Sequence, residues 1–240
     1  MSQQLRVLVT PIAFNEAAKI GAVIERCLGV PGIALAVVDD GSDDQTPDVI
    51  RAKGVRCIRH DRRRGVGAAI RTALHIAQAE GDDVLVVMAG NDKDRPEEIP
   101  RLLAPIVAGE AELVQGSRYL PGGVSGGMPR YRQWATRWMH PWLMSWLTGQ
   151  WLTDTTNGFR AVRLSLLDDR RINLDQSWLD HYELESYLLF RAITLGHRVV
   201  EVPVTKIYPS QALGYTKMAP ITGWWSILRP VVLLGLRLKR

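Results

Sequence analysis

The residues best suited to chemistry in this 240-residue chain lie in one string, Asp39, Asp40, Gly41, Ser42, Asp43, Asp44, Gln45 and Thr46, which follows directly on the apolar run Ile33 to Val38. Carboxylates accept paired hydrogen bonds from hydroxyls and ring N–H groups. An apolar strand that ends in paired acids, a glycine and a hydroxyl places them at the carboxyl edge of an open α/β sheet, where such sheets bind ligands. Asp, Gly, Ser and Thr are also turn and helix-cap residues. A turn needs two of them, however, and seven of the eight residues here are of these types. A second apolar run, Leu5 to Ala13, contains Pro11 and gives way to Phe14, Asn15 and Glu16.

A sheet must hold both strings at one edge, and the remaining pattern supplies it. Glu16 to Leu28 carries apolar residues at Ala17, Ile20, Val23, Ile24, Cys27 and Leu28, a helical stripe. Pro31 and Gly32 turn the chain into the second strand, and a helix from near Asp43 leads to a third, Val55 to Arg59. Gly65, Val66, Gly67, Ala68 and Ala69 then open a helix ending near Glu80, with His60 to Arg64 just before it. Glycines at a helix start let backbone approach an anion or a packed neighbour. Further strands are expected at Val84 to Met88, Glu112 to Gly116 and Val199 to Pro203, with a helix opened by Pro96 and another around His181 to Leu195. Strands alternating with amphipathic helices predict an α/β fold with a mostly parallel, Rossmann-like sheet flanked by helices. No stretch is long and Pro/Gly/Ser-rich enough to be a linker, so residues 1–240 read as one domain. Pro121 to Gly127, with its four glycines, reads as a mobile loop inside it.

The formal charge of +5 comes mostly from arginine, clustered at Arg59 to Arg64, Arg118 to Arg137 and Arg229 to Arg240. No RNA-binding motif or recognition helix accompanies these clusters, so nucleic acid is not the expected partner; phosphorylated ligands and an anionic membrane surface are. Cys27 and Cys57 sit among apolar residues as expected buried thiols, which suits a reducing compartment. Met1 to Arg6 is polar, and no apolar run reaches the roughly 18 residues of a spanning helix. The expected location is cytoplasmic, peripheral on the inner face of the cell membrane.

The two strings together resemble the opening of family 2 glycosyltransferases, which have a nucleotide-sugar-binding GT-A fold. The resemblance is nearest to the polyprenol- and dolichol-phosphate sugar synthases and runs from about Val7 to Lys217. It implies a nucleotide diphosphate sugar donor held by Pro11, Phe14, Asn15, Glu16, Asp39, Asp40 and Ser42, with Asp40 the tighter contact to base or ribose. Gly67 and Asp61 would lie beside the base. Such enzymes end the fourth strand in Asp-x-Asp, whose acids hold Mg or Mn on the donor diphosphate. Counting back from Pro96, those positions fall on Ala89, Gly90 and Asn91, so the carboxylates are missing. A metal would need Asn91 with Asp92 or Asp94; otherwise Lys93 and Lys217 supply the charge that stabilises the departing diphosphate, and metal dependence is expected to be weak or absent. Asp94 fits equally well as a cap for the Pro96 helix.

Gly116, Ser117 and Arg118 also match the family, with Arg118 expected to face the acceptor phosphate or the diphosphate. Arg132 is a second anion contact beyond the glycine loop, and Arg130 reads as an ordinary surface arginine. Asp154 to Arg160 matches a second signature, Asp-Thr-Thr-Asn-Gly-Phe-Arg, which puts Asp154 near the acceptor and the anomeric carbon. Glu183 and Glu185 stand about three or four residues before the point where the family's helix carries its own acid. The loop that closes over the diphosphate maps to Gln211, Gly214, Thr216 and Lys217, with Gln211 in place of an arginine.

Trp134, Trp138, Trp142 and Trp146 recur every four residues, followed by Trp151. That spacing advances about 40° per step, a slanted stripe that fits core packing or a membrane interface equally well. Trp134 would then border the acceptor, and Pro141 should bend the helix. Trp224 to Arg240 is apolar and basic without an acid, too short and charged to span, and fits a membrane-surface helix, a docking segment for a membrane-embedded partner, or a core helix. The chain thus divides into a nucleotide-binding half at about 5–118, an acceptor half at about 119–217 and a membrane-surface or docking segment at about 218–240. The implied reaction is inverting sugar transfer to a polyprenyl phosphate. The alternatives are transfer to a hydroxyl of a soluble sugar or metabolite, which needs a base such as Asp154 or Glu183, and a catalytically silent nucleotide-sugar-binding protein.

Overall fold

The computed structural model describes residues 5–208, 222–236 and 238–239; Gln211, Gly214, Thr216 and Lys217 lie outside the described residues. The chain runs β1 (Val7–Ala13), α1 (Ala17–Leu28), β2 (Ala34–Asp39), α2 (Thr46–Ala52), β3 (Arg56–Arg59), α3 (Val66–Ala79), β4 (Val84–Ala89), α4 (Ile99–Val107) and β5 (Leu113–Ser117). It continues β6 (Val124–Gly126), α5 (Arg130–Trp134), α6 (His140–Thr148), β7 (Arg160–Arg163), α7 (Glu183–Thr194), β8 (Val199–Pro203), β9 (Thr205–Ile207) and α8 (Thr222–Gly235). Seven strands form the main sheet in the order β3-β2-β1-β4-β7-β5-β8, parallel except for β7, which runs against both β4 and β5. This is the expected GT-A-like α/β architecture.

Successive strand side chains point to opposite faces, and the central strands are apolar on both. Leu8, Val38, Leu85 and Val87 join α3 and α7 in one core, whereas Val7, Val9, Val84 and Val86 join α1 and α4 in the other. The α1 stripe is as expected, with Ile20, Val23, Ile24 and Cys27 all buried. Burial pushes the Cys27 thiol up to about 12.

One element departs from the sequence expectation, and two take a more definite form. Pro121 to Gly127 is not merely a loop, because Val124–Gly126 pairs in parallel with Thr205–Ile207 in a small second sheet. The tryptophan helix is broken into α5 and α6 by a π turn at Ala135–Met139 just before Pro141, which lacks the N–H a regular turn requires. Finally, α8 is partly a core helix: Val231 and Leu234 pack into the main core, while Trp225, and Leu236 and Leu238 just past its end, remain exposed.

The sheet order changes direction beside β1, with β2 and β3 on one side and β4 on the other. Ligands of open α/β sheets bind outside the carboxyl ends of the strands at such a point.

Candidate active site

A cleft of about 290 Å³ opens at that point. The end of β1 contributes Ile12, Ala13, Phe14 and Glu16, β2 contributes Asp40, and β4 with its following loop contributes Val87, Met88, Ala89, Asn91 and Lys93. Gly65 and Arg63 come from the entry to α3, Lys206 and Tyr208 from β9 and its end, and His181, Tyr182 and Glu185 from α7 and the turn before it. Arg132 of α5 and Ile227 of α8 complete the wall.

The acidic string divides between lining the cleft and building it. Asp39 is fully buried; its Oδ1 accepts the Ser42 N–H at 3.2 Å and the Ser42 hydroxyl, and its Oδ2 lies 3.2 Å from Arg59 Nε. Ser42 Oγ accepts the Asn15 N–H at 2.8 Å, and Asn15, at φ +52°, exchanges side-chain hydrogen bonds with Asp43. Asp39, Ser42 and Asn15 therefore clasp the ends of β1 and β2 and do not line the cleft. Asp40 does line it. Its Oδ1 takes His60 Nδ1 at 2.8 Å and the Arg64 N–H at 2.9 Å, and its Oδ2 takes the Gly65 N–H at 2.8 Å. A carboxylate has about four lone-pair sites, so Asp40 is fixed in place with acceptor capacity left toward the cleft. Pro11 is buried in β1 beside Met88, and Asp61 is exposed on the turn before α3, so neither is in the wall.

Gly67 is a packing residue. A Cβ there would come within 2.0 Å of the Leu179 carbonyl oxygen and 2.4 Å of that of His181, and the Ala68 N–H donates to Asp180 O at 3.0 Å. The glycines thus let the turn before α7 lie directly on the start of α3, which brings His181 and Tyr182 to the cleft. Gly90 is likewise pressed against β1, with its N–H donating to Ile12 O at 2.8 Å.

The acids expected to do chemistry beyond the nucleotide are occupied elsewhere. Asp154 is fully buried and holds Arg118 in a two-pronged pair, Nε to Oδ2 at 2.6 Å and Nη2 to Oδ1 at 2.7 Å; neither lines the cleft. Asp154 is therefore not presented as a base, nor Arg118 as a phosphate contact. Burial pulls the Arg118 guanidinium down, but attraction and hydrogen bonding to Asp154 outweigh it and the net shift is upward. Glu201 of β8 accepts the N–H groups of Thr153 and Asp154, both at 2.7 Å, and burial raises its pKa. Glu183 is buried and paired with Arg229 of α8 at 2.8 Å; Glu185, two residues on, is the α7 acid that faces the cleft. Trp134 does not line the cleft and is 61 % exposed.

The residues expected to hold a divalent cation do not converge. Asp94 is fully buried, with Oδ2 accepting the Ala89 N–H at 2.9 Å and Oδ1 accepting Lys206 Nζ at 2.6 Å. Asp92, at φ +58°, turns outward to Arg26 at 2.7 Å. Asn91 Oδ1 is buried without a hydrogen-bond partner, a single neutral oxygen donor. Among the described residues no three His, Cys, Asp or Glu side chains are grouped to hold a metal. Opposite stand cations: Lys93, Lys206 and Arg132 face the same space, and Lys93 Nζ lies 4.3 Å above the Tyr208 ring. Burial first, then repulsion from Lys206 and Arg132, lowers Lys93 to about 7. This donor set does not fit a resident divalent cation. Lys206 and Tyr208 escaped sequence reasoning, because a lysine in a short strand signals nothing until its partner Asp94, far away in sequence, is known.

The tryptophans are at the surface. Trp134, Trp138, Trp142, Trp146 and Trp151 are each more than half exposed, up to 73 % for Trp151. Residues 113–153 contain no Asp or Glu, nor do residues 202–240. No described helix is long and apolar enough to cross a membrane.

Comparison with known proteins agrees with this architecture. The chain is 34 % identical over 224 residues to undecaprenyl-phosphate mannosyltransferase of Micrococcus luteus, covering 90 % of this chain and 88 % of that protein. It is 32 % identical over 221 residues to polyprenol monophosphomannose synthase of Mycolicibacterium smegmatis, covering 89 % and 81 %. Its fold matches glucosyl-3-phosphoglycerate synthase from Mycobacterium tuberculosis, in complex with Mn2+, UDP and phosphoglyceric acid, with a TM-score of 0.65 at 21 % identity over 95 % of this chain and 78 % of that one. Residues 9–171 match the model of glycosyl transferase family 2, and the chain belongs to that family.

Proposed function

We propose that this glycosyltransferase moves a sugar from a nucleoside diphosphate sugar to the phosphate of a polyprenyl phosphate at the inner face of the cell membrane. The observation that carries this reading is that the two helices bearing exposed tryptophans, α5 and α8, also put Arg132 and Ile227 into the cleft wall. A lipid-borne phosphate held at a bilayer surface is thereby brought to the donor. Tryptophan suits the headgroup level, and the exposed Arg130 and Arg137 suit an anionic surface. The M. luteus relative is named as a mannosyltransferase of undecaprenyl phosphate and the M. smegmatis relative as a synthase of polyprenol monophosphomannose, which supports this acceptor.

Asp40 takes the base or ribose in this reading, and the cationic wall takes the diphosphate. The acceptor phosphate attacks the anomeric carbon in line as the nucleoside diphosphate leaves, with inversion. A phosphate is already ionised near neutral pH and needs no strong base, which agrees with Asp154, Glu183 and Glu201 being committed to structural pairs. Rate then comes from positioning and from stabilising the departing charge. Glu185 favours the second reading, transfer to a hydroxyl, because it is the acid on α7 that faces the cleft.

The test is transfer from labelled GDP- and UDP-sugars to polyprenyl phosphate in anionic vesicles, beside soluble sugars and phosphorylated metabolites as acceptors. Labelled lipid formed only with the phosphate lipid is expected. Transfer solely to a soluble hydroxyl, lost in Glu185→Gln, would establish the second reading instead.

A further inference from the structure

We propose that the Lys93 side chain binds and neutralises the donor diphosphate in place of a divalent cation. The inference rests on the reading of the cleft as a nucleotide-sugar site. The loop after β4 is built to present this one side chain. Asp92 turns the backbone through a left-handed conformation, and Asp94 closes the loop back onto the Ala89 N–H at 2.9 Å. The Ile207 N–H donates to the Lys93 carbonyl at 3.0 Å, stitching the loop to β9. Between these ties the Lys93 side chain enters the cleft and lies over the Tyr208 ring, whose electron-rich face attracts a cation.

The carboxylate that a metal would use is taken by a neighbouring cation. Lys206 Nζ sits 2.6 Å from Asp94 Oδ1 and 3.1 Å from Asn157 Oδ1, so it cancels the Asp94 charge and fixes its orientation. With Ala89 and Asn91 at the positions of the missing acids, the space beside β4 carries positive charge from the protein itself. A divalent cation there would meet Lys93 and Arg132 beside the mutually neutralised Asp94–Lys206 pair; a diphosphate would meet two complementary groups. A lysine is a compact charge that needs no coordination sphere, and hydrogen bonds to charged partners are among the stronger polar contacts in proteins.

Calorimetric titration with UDP, GDP and the matching nucleosides, in excess chelator and then with magnesium or manganese, tests this. The wild type should bind one nucleoside diphosphate equally well in chelator and in metal. Lys93→Gln should weaken that binding by roughly tenfold to a hundredfold, the scale of a lost charged hydrogen bond, while leaving nucleoside affinity unchanged as proof of an intact fold. Lys93→Arg should recover much of the loss. Diphosphate binding that appears only with metal, persists in Lys93→Gln and disappears in Asn91→Ala would overturn the lysine assignment and leave the nucleotide site standing. No binding of any nucleotide under either condition would overturn both.

Discussion

Replacing Asp154 by asparagine separates two roles that the sequence alone leaves entangled. The side chain is fully buried, and its two oxygens hold Arg118 at 2.6 and 2.7 Å, with the Arg118 N–H also donating to Oδ2 at 3.1 Å. Asparagine keeps the shape but leaves the Arg118 guanidinium buried at 2 % side-chain exposure without its counter-charge. Breaking a buried pair on one side costs about 3–5 kcal/mol. For a chain of this size each kcal/mol lowers Tm by roughly 2–4 °C, so a fall on the order of 10 °C is expected. Urea denaturation should show a lower midpoint with an unchanged slope. The double variant Arg118→Met with Asp154→Leu removes both charges and should recover most of the loss, since apolar pairs of similar volume replace buried ion pairs at little cost. Asp154→Asn with wild-type stability and a transfer rate reduced a hundredfold or more would refute the structural role and make Asp154 a catalytic group.

His140 gives a pH-dependent counterpart. It is fully buried between Thr155 Oγ1 at 2.6 Å and the Ile227 carbonyl at 3.2 Å, and burial lowers it from 6.5 to about 4. The unfolded chain binds this proton below about pH 6.5 and the folded chain does not until about pH 4, so stability is full above the window and falls as pH drops through it, by roughly 3 kcal/mol. His140→Gln should flatten that part of a pH series of urea midpoints; an identical pH dependence in the variant would refute the assignment. Gly67→Ala should destabilise by at least ~1–3 kcal/mol in a thermal melt, because its Cβ meets the Leu179 oxygen at 2.0 Å; an unchanged Tm would show that the turn before α7 is not held as described. Trp138→Ser with Trp142→Ser should weaken sedimentation with anionic vesicles without altering the melt, in a salt-sensitive background set by Arg130 and Arg137. Equal vesicle binding would remove this face as the membrane contact.

The parallel core was legible because its signals are local. Strands such as Val84–Ala89 are apolar on both faces, and α1 shows its buried stripe in the residue spacing alone. The site was half legible for the same reason. Asp40 and Glu16 lie where an apolar strand gives out, and that position follows from the pattern. What the pattern could not separate was a carboxylate that faces the cleft from one that builds it. Asp39 and Asp40 are adjacent and chemically identical, yet one is sealed against Ser42 and Arg59 and the other opens onto the cavity. Asp94 and Lys206, or Asp154 and Arg118, become structural only through partners 112 and 36 residues away. The tryptophan stripe carries equal signal for core and surface, because four-residue spacing fixes which side chains share a face but not what that face meets.

The placement of β7 bears on how the chain is made. Residues 160–163 form the strand that separates β4 from β5, pairing with residues 84–87 on one side and residues 113–115 on the other. The first 118 residues therefore cannot complete the sheet by themselves, although they hold five of its strands. As the polypeptide leaves the ribosome, β4 and β5 wait with open, strongly apolar edges until β7 emerges behind them. Such edges invite pairing with other chains. A fragment ending at Arg118 should aggregate, whereas one that includes Arg163 gains the central strand. The first 118 residues are thus a region whose folding depends on its successor, and a shuffled or fused version of this enzyme must carry the two together.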